Sequence, residues 1–200
     1  MLGVKIAIVC FMAMADMSSG KPAAVNVPEP TTAVVVEATT AQAPPQTEAP
    51  TQAVPEPPKA EGFVVYRIHG TVPPVEWQRY LYDELSRLGY AWYMPYAVCQ
   101  IQQESCWSQW SDNGRDFGLT QQKGIYWADR AAYYGIPGAD IWDPYAQLHV
   151  YANQMAGYLA ANGGDVEWAL SEYINGAHGK YHESYVTAVL SHWEALEVVR

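Results

Sequence analysis

Residues 143–164 read DPYAQLHVYANQMAGYLAANGG, and this stretch decides the fold class. Asp143 can cap a helix with its side-chain oxygen, and Pro144 suits the first helical position because its missing N–H has no intrahelical partner there. Leu148, Tyr151, Met155, Tyr158 and Leu159 then recur at three or four residues and form one apolar face. Asn162-Gly163-Gly164 ends the run. Working outward, the same period recurs at Trp77, Leu81, Leu85 and Leu88 before Gly89, and predicts a helix from about Pro74. Pro95 opens another that runs to about Ser105, with Ala97, Val98 and Ile101 inward. Further helices are expected over Lys123–Tyr134, from Asp165 to Tyr173, and over Glu183–Val198 with Val186, Val189, Leu190 and Trp193 inward. Phe63-Val64-Val65-Tyr66 reads as a short strand or an apolar clip. Six short helices without a strongly alternating segment predict an all-α, non-bundle domain.

Composition divides the chain. Residues 21–60 hold nine of the 14 prolines and no aromatic residue, whereas residues 61–200 hold all eight Trp and all 15 Tyr. A proline-rich segment without aromatics buries too little apolar area to offset its ordering entropy, so 21–60 is expected to be a disordered Pro/Ala/Thr-rich tether. Residues 61–200 are long enough for a hydrophobic core. Residues 1–20 have Lys5, an apolar run from Ile6 to Ala15 and the small residues Ala13 and Ala15, the pattern of an export signal. The run is too short to span a bilayer, which takes about 20 residues. Export to the periplasm, envelope or exterior is expected; bacterial or phage origin stays open.

The formal net charge is −10, and from Glu61 onward 16 acidic residues face 8 basic ones. Nucleic acid is excluded as a partner, since its binding rests on neutralising phosphates. The five histidines and three cysteines show no metal-ligand spacing, so no metal or cofactor is expected. Cys99 and Cys106 are seven residues apart; along a helix the rise is about 10 Å, beyond disulfide reach, and two free thiols are expected.

Four motifs carry the chemistry. Gln103-Glu104-Ser105 stands near a helix end, and the turn residues Ser111-Asp112-Asn113-Gly114 follow it. Gly118-Leu119-Thr120-Gln121, Asp143-Pro144 and Tyr173-Ile174-Asn175-Gly176 come next, in that order. This order and spacing resemble the soluble lytic transglycosylase and goose-type lysozyme family, over about Tyr93 to Trp193. That family has Glu-Ser at a helix end, Gly-Leu-Met-Gln after a loop, Asp-Pro opening a long helix, and Ala-Tyr-Asn-Ala-Gly before the last.

The resemblance implies a lysozyme-like fold over 61–200 and cleavage of peptidoglycan glycan strands, with Glu104 as general acid and then base. Protonating a glycosidic oxygen near neutral pH needs a carboxyl whose pKa burial has raised. It also implies a substrate-binding set of Ser105, Gly118, Leu119, Gln121, Tyr173 and Asn175. Ser105 would orient the glycan or the helix end, Gly118-Leu119 would let backbone approach the sugar, Gln121 would hydrogen-bond it, and Tyr173 would hold Glu104. Trp107, Trp110 and Phe117, in or beside the loop, are either sugar platforms or core.

Departures from the family pattern are Cys106 for Gly, Thr120 for Met, and Ile174-Asn175 for Asn-Ala. Thr120 would make one wall of the site smaller and more polar, and the shifted Asn175 puts its binding role in question. Two other readings stay open: a muramidase in which Asp112 or Asp116 activates water, and a non-catalytic wall-binding or virion structural module.

Overall fold

The computed structural model describes residues 62–177 and 179–199; the expected signal segment 1–20 and tether 21–60 lie outside the described residues. The described chain is mostly helical. Six α-helices span Val75–Arg87 (α1), Met94–Ser105 (α2), Gly124–Tyr133 (α3), Pro144–Ala161 (α4), Val166–Asn175 (α5) and Glu183–Ser191 (α6). Two small antiparallel sheets complete it, pairing Val65–Ile68 (β1) with Leu196–Val199 (β4) and Asp116–Phe117 (β2) with Gln122–Lys123 (β3).

The caps act as their chemistry requires. Asp143 accepts from the Tyr145 N–H at 3.0 Å to start α4, and Asp165 accepts from the Trp168 N–H at 3.0 Å to start α5. Leu148, Tyr151, Met155 and Leu159 on α4 are fully buried, as are Leu81 and Leu85 on α1. Each such leucine stabilises the fold by roughly 1.5–3 kcal/mol through burial. Helix α4 packs against α1 and α5, and α2 packs against α6. Every residue of α2 from Met94 to Ile101 is buried, so this is a core helix, apolar or internally bonded all round. Its last turn, carrying Glu104, emerges from the core, and Ser105 at its end is buried again.

The chain end differs from expectation. The last helix stops at Ser191; a 3-10 turn over His192–Ala195 follows, then β4. Val198 and Val199 favour extended backbone, and β1, which pairs Val65 with Val199 and Ile68 with Leu196, supplies the partner that a helix would lack. The far edge of β1 is covered by Gln78 of α1, whose buried amide accepts from the Tyr66 N–H at 2.8 Å and donates to the Tyr66 carbonyl at 3.1 Å. Cys99 is a buried free thiol, but Cys106, half-buried where α2 ends, is disulfide-bonded and not a second free thiol.

Candidate active site

Helix α2 ends immediately after Glu104 and Ser105. Cys106 and Trp107 both take positive φ, 52° and 62°, a left-handed turn that costs a side-chain-bearing residue about 1–2 kcal/mol and that glycine adopts freely. Cys106 thus occupies a conformation that suits the glycine of the resembled motif. The turn is clamped from the other side: the Ser105 hydroxyl donates to the Leu119 carbonyl at 2.6 Å. Ser105 is buried, so the structure uses it to tie the helix end to the Gly118–Gln121 turn.

That turn connects β2 to β3 and is locked to α4 by Gln147. The Gln147 Oε1 accepts from the Thr120 N–H at 2.7 Å and from the Thr120 hydroxyl at 3.1 Å, while its Nε2 donates to the Phe117 carbonyl at 2.9 Å and to the Ile141 carbonyl. Gly118, at φ +73°, is needed here because a Cβ would lie 2.0 Å from the Gln147 Nε2. The space its missing side chain leaves is filled by Gln147, not left for a sugar. Leu119 is fully buried in the core and does not face a ligand. Thr120 is also fully buried, turned toward Gln147, and forms no outer wall.

Glu104 is half-buried. Burial pushes its carboxyl up to about 8, opposed by a hydrogen bond from Tyr185 and reinforced by the negative charge of Asp116. The Tyr185 hydroxyl, on α6, donates to the Glu104 Oε1. Burial and the neighbouring carboxyl hold the Tyr185 hydroxyl well above its ordinary range, so it remains a donor. The expected holder, Tyr173, is a neighbour whose hydroxyl donates elsewhere, to the Thr120 carbonyl, and accepts from the Gln122 Nε2 at 3.0 Å. The reason is geometric: α6 crosses α2 over Glu104, while Tyr173 on α5 meets the β2–β3 turn.

Gln121 is half-buried with φ +49°; its Nε2 donates to the Gly118 carbonyl at 2.9 Å and the Ser111 carbonyl at 3.3 Å, so it braces the loop. Asn175 is exposed, and its amide donates to the Lys180 carbonyl at 2.8 Å within the turn after α5. Gln103 accepts from His192: the Nε2···Oε1 distance is 3.1 Å. With that ring N–H donated to Gln103, the His192 Nδ1 must accept from the His69 Nε2 at 2.7 Å. Burial and His69 push His192 down to about 4, which keeps the His192 ring neutral at ordinary pH.

The two loop aspartates differ. The exposed Asp112 accepts from the Gly114 N–H at 2.6 Å and serves the turn. Asp116 uses Oδ2 to accept from Asn113 at 3.2 Å, while its Oδ1 is buried without a hydrogen-bond partner. Of the loop aromatics, Trp107 is buried, Phe117 is half-buried, and Trp110 is 68% exposed. Trp142, which the sequence did not single out, packs tilted at 35° against Trp110 with centroids 5.8 Å apart and meets Phe117 edge-on. The residues that sequence reasoning missed, Gln100, Gln147 and Tyr185, share one signal. Each is a polar side chain at a core-facing position of a helix, Gln100 four residues before Glu104 and Gln147 four before Tyr151.

Among the described residues no group of three His, Cys, Asp or Glu could hold a metal, and no helix is long and apolar enough to cross a membrane. No family model matches the chain, and no curated protein or solved structure matches it.

Proposed function

We propose that this protein is a peptidoglycan lytic transglycosylase of lysozyme-like fold, acting on the cell wall after export, with Glu104 as its acid. The observation that carries this reading is Glu104 itself. A carboxyl at the end of a buried core helix, partly open to solvent, is pushed up to about 8 and gripped on one oxygen by Tyr185. Such a group is protonated at neutral pH and returns to that state after each proton transfer. The exposed Trp110 and its neighbour Trp142 offer ring faces for sugars beside the loop that bears Asp116.

In the proposed reaction Glu104 gives its proton to the oxygen of the β-1,4 bond between a muramyl residue and the following glucosamine. The C1–O bond breaks, and the substrate's acetamido oxygen bonds to C1. Ionised Glu104 then takes the proton of the muramyl C6 hydroxyl; O6 displaces the acetamido oxygen and closes the 1,6-anhydro ring. Atoms balance without added water, and Glu104 ends protonated.

A specific observation favours a second reading. The unpartnered Oδ1 of Asp116, whose charge is felt at Glu104, has the acceptor capacity to activate a water, as a muramidase of the inverting type requires. Incubation of the full chain and its Glu104→Gln variant with purified peptidoglycan, followed by mass spectrometry, separates the readings. Anhydromuramyl ends that vanish with Glu104→Gln support the transglycosylase; reducing ends support the muramidase. Binding with no soluble product from the unmodified chain would leave a non-catalytic wall-binding or structural module.

A further inference from the structure

Gln100 lies one helical turn before Glu104 on α2 and is fully buried. Three tyrosines from three other elements meet its amide. Tyr93, in the turn before α2, and Tyr151 of α4 both approach Oε1, at 3.0 and 2.7 Å, and Nε2 lies 3.0 Å from the Tyr185 hydroxyl. Donor counting fixes which way round the amide stands. The Tyr93 and Tyr151 hydroxyls are buried and hydrogen-bonded to each other, which uses one of their two hydrogens, and the Gln100 Oε1 is the acceptor within reach of both. The flipped amide would put N–H groups against both hydroxyls and leave at least one buried O–H without an acceptor, a state folded proteins avoid.

With Oε1 facing the Tyr93 and Tyr151 hydroxyls, the Gln100 N–H must donate to the Tyr185 oxygen. Tyr185 then cannot turn its own hydrogen back toward Gln100. It is left pointing at the Glu104 Oε1.

We infer that Gln100 is a positioning residue that fixes Tyr185 as a permanent donor to the Glu104 Oε1, so that Oε2 is the oxygen that carries and delivers the acid proton. A chain of donors that runs one way polarises each successive O–H, which strengthens the last bond. The groups facing Glu104 are Tyr185 from α6, Tyr173 from α5 and Asp116 from β2. Of these Tyr185 alone favours the ionised form by donation, so Gln100 tunes the acid through it. The consequence for catalysis rests on the proposed role of Glu104, whereas the hydrogen-bond directions do not.

The test is a carboxyl-carbon NMR titration of the full chain with 13C-labelled glutamate, the Glu104 signal being assigned by its loss in Glu104→Gln. Tyr185→Phe is expected to raise the Glu104 midpoint by about one pH unit or more, the effect of removing a hydrogen bond to a charged group. Gln100→Met should raise it in the same direction by less, and should add nothing in the Tyr185→Phe background. Tyr93→Phe with Tyr151→Phe gives a milder second route, since it unlocks the amide while leaving Gln100 in place, and should also raise the midpoint. A Glu104 midpoint that neither route moves, or a Gln100→Met effect that persists in full without the Tyr185 hydroxyl, overturns the inference. Absence of peptidoglycan cleavage by the unmodified chain would overturn the proposed function instead, because the titration reads the carboxyl directly.

Discussion

The Tyr185 hydroxyl donates to the Oε1 of Glu104 across 81 residues of sequence, and this bond, not one from Tyr173, holds the candidate acid. Replacing Tyr185 by Phe removes the donor that favours the ionised carboxylate. We expect peptidoglycan cleavage to slow by about tenfold or more. The alkaline limb of its pH profile should move upward, because Glu104 keeps its proton to higher pH. Tyr173→Phe should leave that limb nearer its place and act mainly on stability, since the bond it loses goes to the Thr120 carbonyl. Muropeptide release followed from pH 5 to 10 separates the two variants.

Glu104 also implies a stability signature. Its folded pKa, about 8, lies above the ordinary 4.5, so the folded state binds the extra proton between those values. Stability on this account is lost as pH rises from 4.5 through 8. Glu104→Gln removes the penalty, and its melting temperature should exceed that of the unmodified chain by several degrees at pH 9 and by little at pH 4. Equal differences at both pH values in calorimetry would refute the burial of this carboxyl.

Asp116 raises the Glu104 pKa through its charge. Asp116→Asn should therefore shift the alkaline limb downward while changing the maximal rate by less than about tenfold, if the acetamido group of the substrate does the work of a second carboxylate. A loss of about a hundredfold or more would instead mark Asp116 as the base of a muramidase.

Gly118→Ala tests the clamp beneath the site. The new Cβ would lie 2.0 Å from the Gln147 Nε2 at a backbone φ of +73°, so Gln147 must swing away and release Thr120, Phe117 and Ile141. A loss of about 2–4 kcal/mol is expected from the backbone and hydrogen-bond terms together. Gly89→Ala is the control: its φ is +86°, yet nothing lies within 4 Å of the added carbon. Denaturant melts should show the larger loss at Gly118.

Trp110 is 68% exposed and packs tilted against Trp142. Trp110→Ala should leave the melting temperature within about a degree or two, because little burial is lost, yet raise KM for glycan several-fold. An unchanged KM would remove this pair from the glycan path.

Most of the helical scaffold was legible because it rests on short-range chemistry. Asp143, Pro144 and Asp165 act within one turn of where they stand, and the apolar periods of α1, α2 and α4 show on their own segments. The position of Glu104 at a helix end was legible for the same reason, as were the turn residues after it. The end of α6 was not: whether residues 196–199 continue a helix depends on β1, about 130 residues earlier, offering an open edge. Likewise Ser105, Gly118, Leu119 and Gln121 form one assembly near Glu104, but the structure turns them inward to bind each other, α2 and the loop.

Sequence alone thus determined where the helices start, and which carboxyl stands at the exit of a core helix, since neighbours along the chain set capping, period and turn. The tertiary structure decided which tyrosine grips that carboxyl, which glutamines lock the amide and the turn, and which aspartate retains an unpartnered oxygen. Those outcomes depend on how α4, α5 and α6 cross α2, and a hydrogen bond between residues 81 positions apart exists only once those crossings have been made.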